Sequence, residues 1–334
     1  MFKARSYLCR AVLACIILPG SAWAADTIDS ICAAAVNEPP LIWYSSQDPS
    51  RNEAAVKAFR EKYPSIKVEA FRLATGPLAT RYAAERGASV INADIITLAD
   101  PVFVAQGFDR EWFVSFNKSD LPALRALDDK WFNRGAATTS ISVLGISYNL
   151  KRVGDDAPKK WEDLLKPKFR GQIILGDPRS IPSYMALFRI LREKLGDDFL
   201  KSLAAQRPVV VPSVVPSTQQ AAAGEVAIVA PNVMTVVAPL KSKGAPIEFV
   251  APDLTTGNEF ETLLSKGADS PNAARCLYNF LFTSEGQVAY NGPTSVSPIS
   301  SVTGTAMLPS NYITPKISEL PQHEAALIQL LGLK

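Results

Sequence analysis

Short apolar segments alternate with amphipathic helical segments along this chain, and that alternation constrains the fold more than any other feature. In the first half, strand-like runs at Leu41–Tyr44, Ile66–Phe71 and Ala93–Leu98 are each followed by a polar loop and a helical pattern. Repeated strand–loop–helix units predict right-handed crossovers and a largely parallel sheet. The loops after the strands then gather at one edge of the sheet, where ligands bind in such folds.

The second half of the chain repeats this order. Strand-like runs occur at Gln172–Leu175, Val209–Val211, Val226–Val229 and Ile247–Val250, and a long amphipathic helix is predicted over Pro182–Leu195. A length of 334 residues suggests about two domains. We therefore predict an α/β protein with two lobes, each a mostly parallel sheet flanked by helices, and a ligand cleft between them.

The first 24 residues have the features of a secretory signal peptide. Basic residues precede a short apolar run at 11–18, and Ala22-Trp23-Ala24 supplies an A-x-A cleavage site. We predict cleavage near Ala24 and a periplasmic location; a lipoprotein box ending at Cys15 is the weaker alternative. Removal of this segment takes the formal net charge from +3 to zero, so no global field favours nucleic acid.

Cleavage leaves two cysteines, Cys32 and Cys276, in an oxidising compartment. A disulfide between them would join the start of the mature chain to a late helix. Two buried thiols are the alternative, because the sequence does not give the distance between the two Cα atoms.

Catalytic motifs are missing from the sequence. It contains no phosphate-binding loop, no dinucleotide-binding glycine motif and no G-x-S-x-G elbow. The single histidine, His323, lies near the end of the chain at a predicted exposed helix start, which does not suit a catalytic triad. We predict a protein that is not an enzyme, with no cofactor and no metal site.

The order of several short motifs resembles the periplasmic solute-binding proteins of ABC importers, in the branch of ferric-iron, thiamine and phosphonate receptors. The segments that carry the resemblance are Leu41–Ser46, Lys67–Phe71, Thr75-Gly76-Pro77-Leu78, Ala93–Ile96, Gly145–Asn149, Trp161–Leu165 with Lys168–Gly171, and Thr283-Ser284-Glu285-Gly286-Gln287.

The resemblance implies a type II-like periplasmic binding protein fold whose two lobes close over a ligand. Lobe 1 would comprise residues 25–142 and 252–334, and lobe 2 would comprise residues 143–251. The partners implied are a small-molecule ligand and an inner-membrane ABC permease, and the protein is expected to be a monomer.

Iron-binding members of the resembled family hold the metal with paired tyrosines just after the strand equivalent to Val226–Val229. This chain has Ala230-Pro231-Asn232-Val233-Met234 there, and Asp48 stands where some members carry a histidine. Ferric iron prefers several hard, anionic oxygen ligands, and Asp48 with Tyr184 would supply too few. A ferric-ion receptor using Asp48, other carboxylates or a bound anion is the first alternative, and an exported hydrolase is the second.

Polar residues that follow strands or open helices are the candidate ligand contacts. Free N–H groups at a helix start favour an anion, and an arginine pairs bidentately with a carboxylate or phosphonate. We therefore predict a small organic anion as ligand. Each residue also has a structural alternative as a turn, a helix cap, a core side chain or a solvated charge. The candidates are Ser45, Ser46, Asp48, Thr75, Gly76, Asp100, Arg179, Ser180, Ser183, Tyr184 and Asn232.

Overall fold

The computed structural model describes residues 27–333, so the predicted signal peptide and its cleavage site lie outside the described residues. Within them the strands are β1 Leu41–Ser45, β2 Val68–Arg72, β3 Ile95–Leu98, β4 Phe132–Asn133, β5 Ala136–Asn149, β6 Ile173–Gly176, β7 Val209–Val211, β8 Ile228–Val233, β9 Ile247–Val250 and β10 Gly257–Leu264.

The α-helices of the same residues surround these strands, and a 3₁₀ helix at Ile317–Gln322 precedes the last one. No helix among residues 27–333 has the length and apolar character needed to cross a membrane. The α-helices are α1 Ile28–Ala34, α2 Pro49–Lys62, α3 Thr75–Gly87, α4 Pro101–Asp109, α5 Leu150–Val153, α6 Pro182–Leu195, α7 Asp197–Ala205, α8 Val214–Ala223, α9 Met234–Ser242, α10 Pro271–Leu281, α11 Ser284–Asn291 and α12 Glu324–Leu330.

Lobe 1 is built on a sheet in the order β2-β1-β3-β10-β5, in which β2, β1 and β3 are parallel and β10 is antiparallel to both neighbours. Both faces of this sheet are covered. Leu41 and Trp43 of β1 point into one core cluster, and Tyr44 points into the other. A strand buried on both faces is apolar at successive positions, which explains the unbroken apolar run Leu41–Tyr44 in β1.

Lobe 2 has the order β5-β8-β6-β7, with β9 pairing the same part of β5. Strands β8, β6 and β7 are parallel. Helix α6 is the central packing element, because its residues Ser183–Leu191 are all buried. The mixed α/β architecture predicted from the sequence is confirmed.

Two neighbouring chain segments join the lobes. The first part of the 14-residue strand β5 pairs with β10 in lobe 1, and its last part pairs with β8 and β9 in lobe 2. At the crossing, the Leu144 N–H donates to the Thr256 carbonyl at 2.9 Å and the Thr255 hydroxyl donates to the Leu144 carbonyl at 2.7 Å. These bonds tie the two crossings into one hinge.

The end of the chain forms a third connection, which we call the C-terminal strap (residues 312–333). It passes beside the hinge, where the Ile313 N–H donates to the Thr255 carbonyl at 2.9 Å. Leu320, Leu327 and Leu331 then pack into the lobe 2 core. The leucines of the strap form an apolar face that covers α6 and α7, although the strap follows the lobe 1 segments of the chain.

The first and last parts of lobe 1 are joined covalently. Cys32 of α1 and Cys276 of α10 form a disulfide, with Cα atoms 5.2 Å apart. Both cysteines are buried in the larger lobe 1 core cluster. The start of the described chain is therefore attached to a helix that follows it by 244 positions.

Candidate functional site

A cavity of about 140 Å³ lies between the lobes. Lobe 1 lines it with Ala99 and Pro101, which follow β3, and lobe 2 lines it with Ser183 in the first turn of α6. Strand β10 and the C-terminal strap form other walls. The carboxyl end of a lobe 1 strand and the amino end of a lobe 2 helix thus face one space, which is where an α/β fold binds ligands.

The carboxyl end of β1 and the start of α3 come together in lobe 1. The Thr75 hydroxyl donates to the Ser46 hydroxyl at 3.0 Å, and the buried Ser45 hydroxyl donates to Asn52 Oδ1 at 2.8 Å. The side chain before α3 makes no cap, and the N–H groups of Thr75 and Gly76 have no acceptor among residues 27–333. This helix start therefore keeps main-chain donors available for an anion.

The two candidate aspartates of lobe 1 cap helices. Asp48 accepts from the Ser50 N–H at 2.9 Å at the start of α2. Asp100 accepts from the N–H groups of Val102 and Phe103 at 3.1 and 3.0 Å at the start of α4. In each carboxylate, one oxygen is engaged by its own helix, as expected of an N-cap followed by proline.

The loop before α6 contains an arginine that is paired within its own turn. The Arg179 guanidinium donates to Asp177 through Nε at 2.9 Å and through Nη2 at 2.7 Å. Hydrogen bonding from Arg179 holds the pKa of Asp177 below its usual value. Ser180 is exposed beside this pair, and the Ser183 hydroxyl donates to Asn258 Oδ1 of β10 at 2.6 Å.

Two candidates of lobe 2 are interior side chains. Tyr184 is 3% exposed and packs so closely on Gly176 that a Cβ there would lie 2.5 Å from its ring, and burial raises its pKa. Asn232 is fully buried, and its amide donates to the hydroxyls of Ser147 and Thr218, each at 2.8 Å. These contacts hold both side chains within lobe 2, and neither side chain lines the cavity.

Strand β10 brings carboxylates into the cavity that the sequence analysis did not single out. Glu259 and Glu261 both line it, with the buried Thr138 of β5 opposite. The Tyr312 hydroxyl donates to Glu259 at 2.8 Å. Burial raises the pKa of Glu259 to about 7, and burial together with the charges of Glu259 and Asp100 raises the pKa of Glu261 to about 7. The alternation Glu-Phe-Glu in β10 was the signal that could have identified them.

The raised pKa values of Glu259 and Glu261 make the stability of the folded protein depend on pH. A carboxyl group that titrates near 7 in the folded chain and near 4.5 in the unfolded chain binds more protons when folded between those values. Stability therefore falls as pH rises through this window. We expect Glu261→Gln to flatten the decline in melting temperature, measured by calorimetry at a series of pH values. An unchanged slope in the variant would contradict this assignment.

Metal ligands do not converge in the described structure. Residues 27–333 contain no group of three or more histidine, cysteine, aspartate or glutamate residues placed to hold an ion. His323 lies at the start of α12 in the strap, where its carbonyl accepts from the Leu327 N–H at 3.0 Å.

The hinge, the cavity shared by two α/β lobes and the polar helix starts around it define a two-lobed solute-binding protein. A sequence profile of the bacterial extracellular solute-binding proteins matches residues 90–310. The chain belongs to this family, whose members are receptors of ABC importers and act outside the cytoplasm.

One relative and two solved structures are similar to this chain. A protein of Haemophilus influenzae is 27% identical over 259 residues, which is 74% of each chain. Iron-bound HitA from Pseudomonas aeruginosa superposes with a TM-score of 0.70 at 18% identity, over 88% of this chain and 100% of that one. AfuA from Actinobacillus pleuropneumoniae, with fructose-6-phosphate bound, has a TM-score of 0.67 at 20% identity, over 88% and 99%. These structural similarities show the fold.

Proposed function

We propose that this protein is a periplasmic, monomeric receptor that binds a small organic anion of the carboxylate or phosphonate class. In this proposal the signal peptide is removed near Ala24, and the closed receptor docks on an inner-membrane ABC permease without altering its ligand chemically. The observation that carries the proposal is that a helix start in each lobe offers unpaired main-chain donors: the start of α6 lines the cavity, and the start of α3 contacts the carboxyl end of β1. These are the N–H groups of Thr75 and Gly76 in lobe 1 and of Ser183 in lobe 2, which have no acceptor among residues 27–333.

Helix starts of this kind favour negative charge, because aligned peptide dipoles and free N–H groups both point towards the ligand. Closure of the lobes around the hinge excludes water, which strengthens each charge-assisted bond. An exposed arginine, Arg72, lies in register with Ser45 at the end of β2 and forms no ion pair among residues 27–333. It adds a positive charge beside the carboxyl end of β1.

Gly76 allows a matched test of the main-chain donors. A Cβ at this position would meet nothing within 4 Å, so Gly76→Ala keeps the N–H and the local packing. Gly76→Pro removes the N–H at a position in the first turn, where a helix tolerates proline. We expect the proline variant to bind the anion about tenfold more weakly than the alanine variant, measured by calorimetric titration.

The ligand for this titration comes from a thermal-shift screen of alkylcarboxylates, alkylphosphonates, sugar phosphates, amines and ferric citrate. The proposal predicts one-to-one stabilisation by an organic anion that increases with ligand concentration, without turnover. A response to ferric salts alone, with a coloured complex that a chelator bleaches, would support the iron receptor instead. Hydrolysis of esters or phosphoesters that disappears in Ser46→Ala would support the hydrolase. Equal affinities of the two Gly76 variants would contradict the role of the α3 start.

A further inference from the structure

The cavity between the lobes has an acidic wall on the side of the hinge. Glu259 and Glu261 stand two positions apart on β10, and both side chains line the space. Asp100 lies in the chain between the lining residues Ala99 and Pro101, and its charge acts on Glu261. An anion that filled this part of the cleft would meet the carboxyl groups of Glu259 and Glu261, so the acidic wall must serve some other part of the ligand.

A lysine also lines the cavity, but it does not form an ion pair with the two glutamates of the acidic wall. Lys130 lines the same cavity, and its ammonium lies 5.0 Å above the ring of Trp131. No ion pair joins Lys130 to either glutamate among residues 27–333, although its charge lowers the pKa of Glu259. Glu259 is also held by the Tyr312 hydroxyl of the strap. Glu261 receives no hydrogen bond from any residue of the described chain.

A second polar group in the cavity also lacks a partner. Thr138 is only 4% exposed, and it lines the cavity from β5 in register with Glu261. Its hydroxyl makes no hydrogen bond within residues 27–333. Because Thr138 lines the cavity, its hydroxyl is available to hydrogen-bond a ligand there. A ligand group with several hydrogen-bond donors would bond a carboxylate oxygen of Glu261 and the hydroxyl oxygen of Thr138.

We propose that this cavity receives a cationic end of the ligand, a protonated amine, so that the receptor takes a zwitterionic solute rather than a simple anion. The inference rests on the proposed function, in which the anionic end lies against the starts of α3 and α6. A compact ammonium has three donors, which suit the carboxylates of Glu259 and Glu261 and the hydroxyl of Thr138. A cavity of about 140 Å³ has room for such a group with a short alkyl chain.

The same arrangement predicts that binding of an amine changes the protonation of the two glutamates. The charged groups that line the cavity are Glu259 and Glu261 of β10 and Lys130 before β4. Asp100, which precedes α4, acts on Glu261 through its charge, and the Tyr312 phenol of the strap donates to Glu259. A bound ammonium favours the ionised glutamates, so its binding releases protons. Affinity for an amine-bearing ligand should therefore rise as pH increases through 7, whereas affinity for a simple anion should not.

The test compares three series of phosphonates with two to four carbons, ending in a methyl, a hydroxyl or an amine group. Each is titrated calorimetrically into the mature protein and into Glu261→Gln, with Glu69→Gln as the control. Glu69 is an exposed carboxylate near the start of β2, so its variant makes the same substitution without touching the cavity. Melting curves establish that the variants are folded.

We expect the amine series to bind about tenfold or more tightly than the methyl series, and Glu261→Gln to remove most of that preference while Glu69→Gln retains it. Amine and methyl ligands of equal affinity would overturn the inference and leave the anion receptor intact. Hydroxyl ligands that match the amines would also overturn it, because a neutral donor would then suffice. If no phosphonate or carboxylate binds, the proposed function fails, and this inference fails with it.

Discussion

Replacing Cys32 and Cys276 together by alanine should lower the free energy of unfolding by about 2–5 kcal/mol. The disulfide closes a long loop, because the two residues are 244 positions apart. In the chain-entropy account, a cross-link over a long loop removes many conformations from the unfolded chain. The bridge also fixes α1 against α10, so its loss should loosen the start of the mature chain before the rest of lobe 1.

Chemical denaturation of the double variant and of the unmodified protein, with and without reductant, measures this effect. Reductant should destabilise the unmodified protein by a similar amount and leave the alanine variant unchanged, because that variant has no bridge to reduce. Equal unfolding midpoints for the variant and the oxidised protein would show that the bridge contributes nothing to stability. Titration of free thiols in the denatured, unreduced protein checks that the bridge is formed.

Gly286→Ala should destabilise the protein by about 3 kcal/mol or more. A Cβ at Gly286 would lie 2.0 Å from the carbonyl oxygen of Phe280 and 2.8 Å from its carbonyl carbon. Both atoms belong to the main chain of α10, so they cannot rotate away as a side chain would. Helices α10 and α11 would have to separate, which would disturb the buried contacts of Gln287 with the carbonyls of Thr139 and Leu281.

Gly76→Ala is the matched control for this prediction, because the same substitution at Gly76 meets nothing within 4 Å. Its unfolding free energy should stay within about 0.5 kcal/mol of the unmodified protein. Equal stabilities for the two alanine variants, measured by urea denaturation, would contradict the close approach of α10 and α11.

The strands that alternate with helices could be predicted from the sequence because each is short, apolar and bounded by turn residues. Val209–Val211, Ile247–Val250 and Pro182–Leu195 coincide with β7, β9 and α6. The crossover strand β5 was not predicted as a strand. Its sequence is rich in threonine and serine, and almost every one of its residues is buried. Burial on both faces removes the polar–apolar alternation by which a strand is recognised.

Some features of the candidate site could likewise be predicted from the sequence, and others could not. The placement of residues at strand ends and helix starts followed from the α/β order, so Ser46 and Thr75 were grouped on sequence grounds and lie in contact. Their bonding partners were harder to foresee. The Asp-Pro pairs at positions 48 and 100 carry the N-cap signature, yet a sequence does not show whether a carboxylate is used by its own helix or by a ligand. Arg179 illustrates the same ambiguity, because its partner Asp177 is only two residues away.

Small-angle X-ray scattering of the mature protein, with and without the organic anion that stabilises it, tests the central claim most directly. The account predicts a smaller radius of gyration at saturation, one ligand per chain, and recovery of the ligand unchanged after the complex is denatured. Saturation without any change in the radius of gyration, or recovery of a chemically altered ligand, would contradict closure of two lobes over a transported solute.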